Sequence, residues 1–246
     1  MKDNFSAQAD DYSKYRPQYP QEMIDYIMSF VAKRDCALDV ATGNGQLAAA
    51  IAPYFTTVYA IDISDKQLDN TIHKDNIIYK KQSAENTGFA PHQFDLITVA
   101  QAVHWFDFDA FYKEVFRILK KQGIIVIIGY GLFKSNKNTE AIINYFYNDV
   151  IGKYWDPERR YLEENYKTIP FPFQEVYTDK KFMNTYEWDF EQLAGYLSTW
   201  SAVQHYKKQN GKNPLDQIRE DLRESWAKSD KKVTFPLLLR IGKLNN

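Results

Sequence analysis

Between Leu38 and Leu47 the chain reads Leu-Asp-Val-Ala-Thr-Gly-Asn-Gly-Gln-Leu, and two residue types there can do chemistry. Gly43 and Gly45 carry no side chain, so a turn built on them lets the backbone approach a ligand closely. Asp39 lies in an apolar run just ahead of them. A carboxylate in such a run is costly to bury unless a cation or a hydrogen-bond donor meets it. The pattern Gly-x-Gly-x-x-Ala at Gly43, Gly45 and Ala48 suits any cofactor built on adenosine and by itself separates no cofactor class from another.

Other residues narrow the choice. Asp39 favours a cofactor that carries an amine: the ammonium of S-adenosyl-L-methionine would meet it, and NAD has no such group. Asp62, ending the run Val58-Tyr59-Ala60-Ile61-Asp62, can accept hydrogen bonds from two vicinal ribose hydroxyls, a role an acidic residue there plays with NAD as well. Gln82-Ser83-Ala84-Glu85-Asn86 offers a backbone N–H and polar side chains to an adenine edge, which a dinucleotide site does not require. His104, Trp105 and Phe106 stand together farther along, and His104 can hydrogen-bond an acceptor or take a proton from it.

These side chains need elements to carry them. Five short runs rich in β-branched or apolar residues, 36–42, 57–63, 76–83, 94–100 and 123–130, read as strands. Helical spacing fills intervals around them: 20–31 with Met23, Ile24, Ile27, Met28 and Val31, then 46–54, then 109–120 with Phe111, Val115, Ile118 and Leu119 on one face. Alternation of this kind predicts a doubly wound α/β sheet, whose ligands lie at the carboxyl ends of the strands. The second half differs. Residues 139–177 are dense in Tyr, Phe and Trp without clean alternation, which predicts a helical cap. Residues 181–188 read as a strand and 190–206 as one helix with Leu193, Leu197 and Trp200 on a stripe. Asn213-Pro214 reads as a cap and first turn before Leu215, Ile218, Leu222 and Trp226, and 233–244 as a closing strand.

Composition bounds the possibilities. A chain of 246 residues with 44% hydrophobic and 26% charged content can bury a full core in one elaborated domain. The 31 Lys and Arg nearly balance the 32 Asp and Glu, which argues against nucleic acid or an anionic membrane as partner. The start MKDNFSAQAD has no apolar leader, and no stretch has the length of a membrane span, so a cytoplasmic protein is expected. Cys36 is the single cysteine, which excludes an intrachain disulfide and a cysteine-rich zinc site. We expect no metal, and Cys36 reads as a small buried hydrophobe.

Taken jointly, the motifs resemble those of class I S-adenosylmethionine-dependent methyltransferases, in the small-molecule branch that includes trans-aconitate methyltransferase-like proteins. The likeness rests on Asp39-x-x-x-Gly43-x-Gly45, Asp62-Ile63-Ser64, Ser83-Ala84-Glu85, Phe94-Asp95-Leu96-Ile97 leading to Gln101-Ala102-Val103-His104-Trp105-Phe106, and the stretch Leu119 to Gly123. The resemblance implies a Rossmann-like doubly wound sheet of seven strands, mostly parallel with an antiparallel last strand, plus a helical and aromatic cap. It implies one methyltransferase domain over 1–246, with an N-terminal lid at 1–20, a cofactor-binding core at 21–130, a cap insertion at 131–180, and 181–246 completing sheet and cap.

It also implies roles. Ala41, Gly43 and Gly45 flank the methionine part, Asp62 holds the ribose, and Ile63 packs on adenine. Ala84, with Ser83 and Glu85, meets the adenine polar edge, while Ala100 and Gln101 complete the cofactor site. Many relatives carry Asp where this chain has Ser83, so the Ala84 backbone is the firmer contact there. The segment Tyr12-Ser13-Lys14-Tyr15-Arg16-Pro17 is similar to a lid, with Tyr15 and Arg16 on the cofactor and Tyr12 toward the acceptor. His104, Trp105, Phe106 and Trp200 surround the acceptor, His104 being the candidate catalytic residue. The expected reaction is O-methylation of a carboxylate or hydroxyl on a small molecule by in-line displacement, releasing S-adenosyl-L-homocysteine. An NAD-dependent oxidoreductase and a non-catalytic S-adenosylmethionine-binding protein are the alternatives. Oligomeric state is not legible in the sequence.

Overall fold

A computed structural model of the chain describes residues 17–244. The expectations for Tyr12, Tyr15 and Arg16 lie outside the described residues. The first helix, α1 (Gln21–Met28), starts after Pro20 and buries Met23, Ile24, Ile27 and Met28. Four such side chains removed from water contribute roughly 6–12 kcal/mol of gross transfer free energy, before conformational entropy is subtracted. That face is what fixes α1 against the sheet.

The sheet is built from β1 (Cys36–Val40), β2 (Thr57–Asp62), β3 (Ile77–Lys81), β4 (Phe94–Ala100) and β5 (Leu119–Tyr130), all parallel and ordered β3-β2-β1-β4-β5. The chain winds outward in one direction from β1 to β3 and in the other from β4 to β5. The crevice at the carboxyl ends of β1 and β4 is therefore a topological switch point, where open α/β sheets bind ligands. Connecting these strands are α2 (Gln46–Ile51), α3 (Asp65–Leu68) and α4 (Phe108–Ile118). Asp107 caps α4 by accepting from the Ala110 N–H at 3.0 Å. The two faces of the sheet bury separate apolar clusters, one containing α1 and α2, the other containing Phe111, Val115 and Ile118 of α4.

Beyond β5 the sheet turns antiparallel. The closing strand β8 (Lys232–Lys243) runs along β5, and its outer edge is shared end to end by two short strands, β6 (Gln174–Val176) and β7 (Phe182–Glu187). Eight strands thus fill seven positions: the expected last strand is antiparallel, and the strand beyond it is in two pieces. β6 lies inside the stretch expected to be cap, because three residues without alternation leave no periodic signature. The rest of that stretch holds α5 (Lys137–Tyr145), a π turn at Phe146–Val150, 3-10 turns at Gly152–Tyr154 and Pro157–Arg159, and α6 (Arg160–Glu163).

Several boundaries move. The helix expected at 190–206 is two, α7 (Phe190–Ser198) and α8 (Ser201–Asn210). Ser198 and Thr199 turn their hydroxyls back onto the Gly195 and Tyr196 carbonyls at 2.7 and 2.6 Å, and Trp200 then takes an extended conformation. Asn213 does cap its turn, but the turn is a 3-10 segment, Pro214–Gln217, followed by a separate α9 (Arg219–Ala227). α4 stops at Ile118, short of the expected 120, because Leu119 already pairs with Phe94 in the sheet. Gly123 permits that early start, since a Cβ there would lie 2.9 Å from the Phe94 carbonyl oxygen. Cys36, at the first residue of β1, is half-buried, and burial pushes its thiol up to about 11. No described helix is long and apolar enough to cross a membrane.

Candidate functional site

The carboxyl end of β1 is where the local conformation departs most from the ordinary. Ala41, Gly43 and Gly45 all have positive φ, at 53°, 58° and 85°. Glycine adopts this region freely, whereas Ala41 does so against its Cβ. Asp62 at the end of β2 holds the coil they form. One Asp62 oxygen accepts from the Gly43 N–H and the other from the Ser64 N–H, each at 2.9 Å. Gly45 is constrained from outside as well: a Cβ on it would sit 2.2 Å from the Tyr79 hydroxyl, which is itself bonded to the Ile72 carbonyl at 2.7 Å.

Asp39 is 1% exposed. Its oxygens accept from the Thr42 hydroxyl at 2.5 Å and the Thr98 hydroxyl at 2.7 Å. Burial pushes its carboxyl up to about 6, against the lowering effect of those two hydroxyls. No Lys, Arg or His among the described residues forms an ion pair with it. A buried carboxylate that meets two hydroxyls and the Ala48 N–H, with no counter-charge among the described residues, is a site short of one cation.

A cleft opens over this carboxylate. Its walls are Asp39 and the 41–44 coil after β1, Ala100 and Gln101 after β4, Tyr130 at the end of β5, and Pro17 and Tyr19 from the strand-free entry to α1. Gln101, with φ of 56°, turns β4 away by bonding its N–H to the Ile128 carbonyl and its side-chain amide to the Tyr130 carbonyl, each at 2.9 Å. The donor set suits a cofactor with a positively charged amino-acid tail: a buried carboxylate for the ammonium, and a side-chain-free coil for the tail.

Of the residues expected from sequence, Asp39, Ala41, Gly43, Ala100 and Gln101 line this one cleft, with Gly45 and Asp62 shaping its coil. Ile63 follows β2 directly. Ser83, Ala84 and Glu85 lie past β3 on the neighbouring strand, where Ala84 is buried and the Ser83 hydroxyl bonds the Glu85 carboxylate. That carboxylate also accepts the Asp107 N–H at 3.4 Å.

The residues expected from sequence around an acceptor are arranged differently. His104 and Trp105 belong to a 3-10 turn, Val103–Trp105, and His104 is 4% exposed. Its Nδ1 is 3.0 Å from the Tyr166 hydroxyl. Burial, with a contribution from the Arg159 charge, lowers its imidazole to about 3, so it is neutral throughout the physiological range. Phe106 is buried and packs on Phe111 with ring centroids 4.8 Å apart. Trp200 is 2% exposed, inside an aromatic cluster with Phe146, Tyr147, Trp155 and Tyr196, and does not line the cleft.

Sequence reasoning passed over Thr98, Tyr130 and Tyr79. Tyr130 could have been found as the residue ending the fifth strand. Thr98 meets Asp39 through strand pairing and Tyr79 meets Gly45 across the turn after β1, and nothing next to either in the chain announces it.

The chain matches the family model described as a methyltransferase domain over residues 38–127, the span of β1 to β5 that builds the cleft. A methyltransferase-family protein of Dictyostelium discoideum is 32% identical over 98% of this chain and 95% of its own length. Among solved structures, that of a type II methyltransferase-family protein from Anaeromyxobacter dehalogenans is similar at a TM-score of 0.85 and 31% identity, covering 94% of this chain and 100% of that one. The fold alone is shared with phosphoethanolamine N-methyltransferase 2 of Haemonchus contortus, solved with phosphomonomethylethanolamine and S-adenosylhomocysteine. There the TM-score is 0.51 at 16% identity, over 98% of this chain and 58% of that one. None of these likenesses favours an NAD-dependent oxidoreductase. Similarity that extends over nearly the whole chain in both sequence and structure makes this protein a member of the class I S-adenosylmethionine-dependent methyltransferases, with S-adenosylmethionine as its cofactor.

Proposed function

We propose that the protein methylates a small molecule, at an oxygen of a carboxylate or hydroxyl group. The observation that carries the reading is Asp39, a buried carboxylate without a counter-charge among the described residues, beneath a cleft at the switch point of the sheet. In this reading Asp39 receives the cofactor ammonium, and the coil of Ala41, Gly43 and Gly45 lies along the methionine chain. Asp62, whose oxygens hold Gly43 and Ser64, is the acceptor for the ribose hydroxyls. Ile63 covers adenine, and the Ala84 backbone, flanked by Ser83 and Glu85, meets its polar edge. Ala100 and Gln101 close the cleft from β4. Tyr15, Arg16 and Tyr12 are assigned to the lid by resemblance alone.

The cofactor supplies a methyl group on a sulfonium, whose thioether leaves without acid assistance. The residues around the reaction have to align and desolvate the acceptor more than they have to move protons. His104 fits that demand as a positioning residue. Neutral, buried and bonded to Tyr166, it ties the turn after β4 to the loop at residues 165–166, where both backbones have positive φ. The Trp105 ring packs tilted against it, centroids 4.8 Å apart, and Trp105 is the member of the trio with part of its surface outward. A small acceptor is further supported by the near balance of charge, which gives the chain no net positive charge to draw it to nucleic acid.

The test is transfer of tritiated methyl from S-adenosylmethionine to panels of carboxylic acids, phenols and amines, alongside calorimetry with S-adenosylhomocysteine. We expect micromolar-range product binding, and label either released as methanol by alkali, as from a methyl ester, or held in an alkali-stable methyl ether. Binding without transfer to any class would defeat the enzymatic reading. Label confined to amines would defeat O-methylation.

A further inference from the structure

Immediately past Tyr130, which lines the cofactor cleft, Gly131 and Leu132 form part of a second cavity of about 440 Å³. A volume of this size is that of a small-molecule site. Tyr147, Arg159 and Glu163 line its wall. The turn carrying Arg159 packs against the Val103–Trp105 turn, so the cavity adjoins the His104 region.

Arg159 is held rather than free. Its Nε donates to the Tyr147 hydroxyl at 2.9 Å, and its guanidinium lies 4.7 Å above the Trp155 ring centroid and 5.5 Å from that of Tyr147. The Tyr147 hydroxyl in turn donates to Glu163 at 2.5 Å, which occupies that carboxylate. Among the described residues no carboxylate forms an ion pair with Arg159, and its terminal nitrogens bond to nothing. A half-buried guanidinium, clamped on aromatic faces with its fork unused, is preorganised for an anion.

We infer that this second cavity receives the methyl acceptor and that Arg159 is the residue that selects it, gripping a carboxylate of the acceptor in the guanidinium fork. The assignment rests on the small-molecule methyltransferase reading above. The planar fork matches a carboxylate in two parallel N–H···O bonds. The other charged lining groups, Lys134 and Glu163, cancel, leaving one positive charge for one negative charge. A phosphate dianion would leave a charge unmatched.

The experiment uses the whole protein, with and without S-adenosylhomocysteine, titrated calorimetrically with the monoanion butyrate, with its neutral amide butyramide, and with inorganic phosphate. Butyrate is expected to bind about tenfold or more tightly than butyramide and than phosphate. Arg159→Gln abolishes that preference. Arg159→Lys keeps the charge without the fork and retains a part of it, and it serves as the working variant if the glutamine form does not fold. The inference is overturned if butyrate shows no preference over butyramide in the unmodified protein, if phosphate binds more tightly than butyrate, or if the variants keep the preference within about twofold. Binding of S-adenosylhomocysteine is read separately in the same protein, so loss of the cofactor reading and loss of the Arg159 assignment are distinguishable.

Discussion

Replacing Asp39 by Asn should move stability and cofactor binding in opposite directions. In the unfolded chain this carboxyl titrates near 3.8 and in the folded protein near 6, raised chiefly by burial. Between those values the folded state holds the additional proton. The stability linked to this group is therefore fully present below about 3.8 and is lost as pH rises through about 6. A difference of roughly two pKa units corresponds to a loss on the order of 3 kcal/mol, which is then constant at higher pH. Asn removes the charge while keeping the shape and an acceptor for Thr98, and the Thr42 hydroxyl can reverse to accept from the new amide. The ligand-free variant should thus gain about 1–3 kcal/mol over the parent at pH 8 and little at pH 4, measured by urea unfolding. Its affinity for S-adenosylhomocysteine should fall by about 30-fold or more, since a desolvated charge pair is worth roughly 2–5 kcal/mol when one partner is removed. In the parent protein the same affinity should weaken as pH falls through about 6, where Asp39 takes up its proton. If the variant shows an unchanged pH dependence of stability and binds S-adenosylhomocysteine within about twofold of the parent, Asp39 is not the buried, cofactor-facing charge argued for here.

Gly45→Ala should lower stability by about 1–3 kcal/mol and weaken cofactor binding, because the backbone has φ of 85° and the new Cβ would strike Tyr79; urea unfolding and calorimetry measure both. Ala41→Gly should do the reverse for stability, raising it by up to about 1 kcal/mol as the strain of a Cβ at φ 53° is removed, and a lower unfolding midpoint would refute this. With its imidazole lowered to about 3, His104 should contribute no inflection to the kcat/KM profile between pH 6 and 9; an inflection there that disappears in His104→Asn would restore it as a general base.

What could be read from the residues alone was whatever is local. The strands β1 to β5 were legible because apolar and β-branched runs alternate with helical spacing, and the glycine coil because Gly43 and Gly45 are the residues that accept positive φ. Asp39 and Asp62 stood out because a carboxylate at such a place needs a reason. Tertiary structure decided what depends on distant segments meeting. Thr98 becomes the partner of Asp39 only when β4 lies beside β1 in register, 59 residues away in sequence. Trp200 and Trp105 have the same aromatic character in the sequence, yet packing puts the first wholly inside the core and leaves the second part-exposed. His104 looks like a base on paper, and it is burial beside Tyr166 and the field of Arg159 that make it a neutral prop. Periodicity reports which face of a segment is apolar, whereas desolvation, charge pairing and a shared cavity are properties of neighbours that only the folded chain brings together.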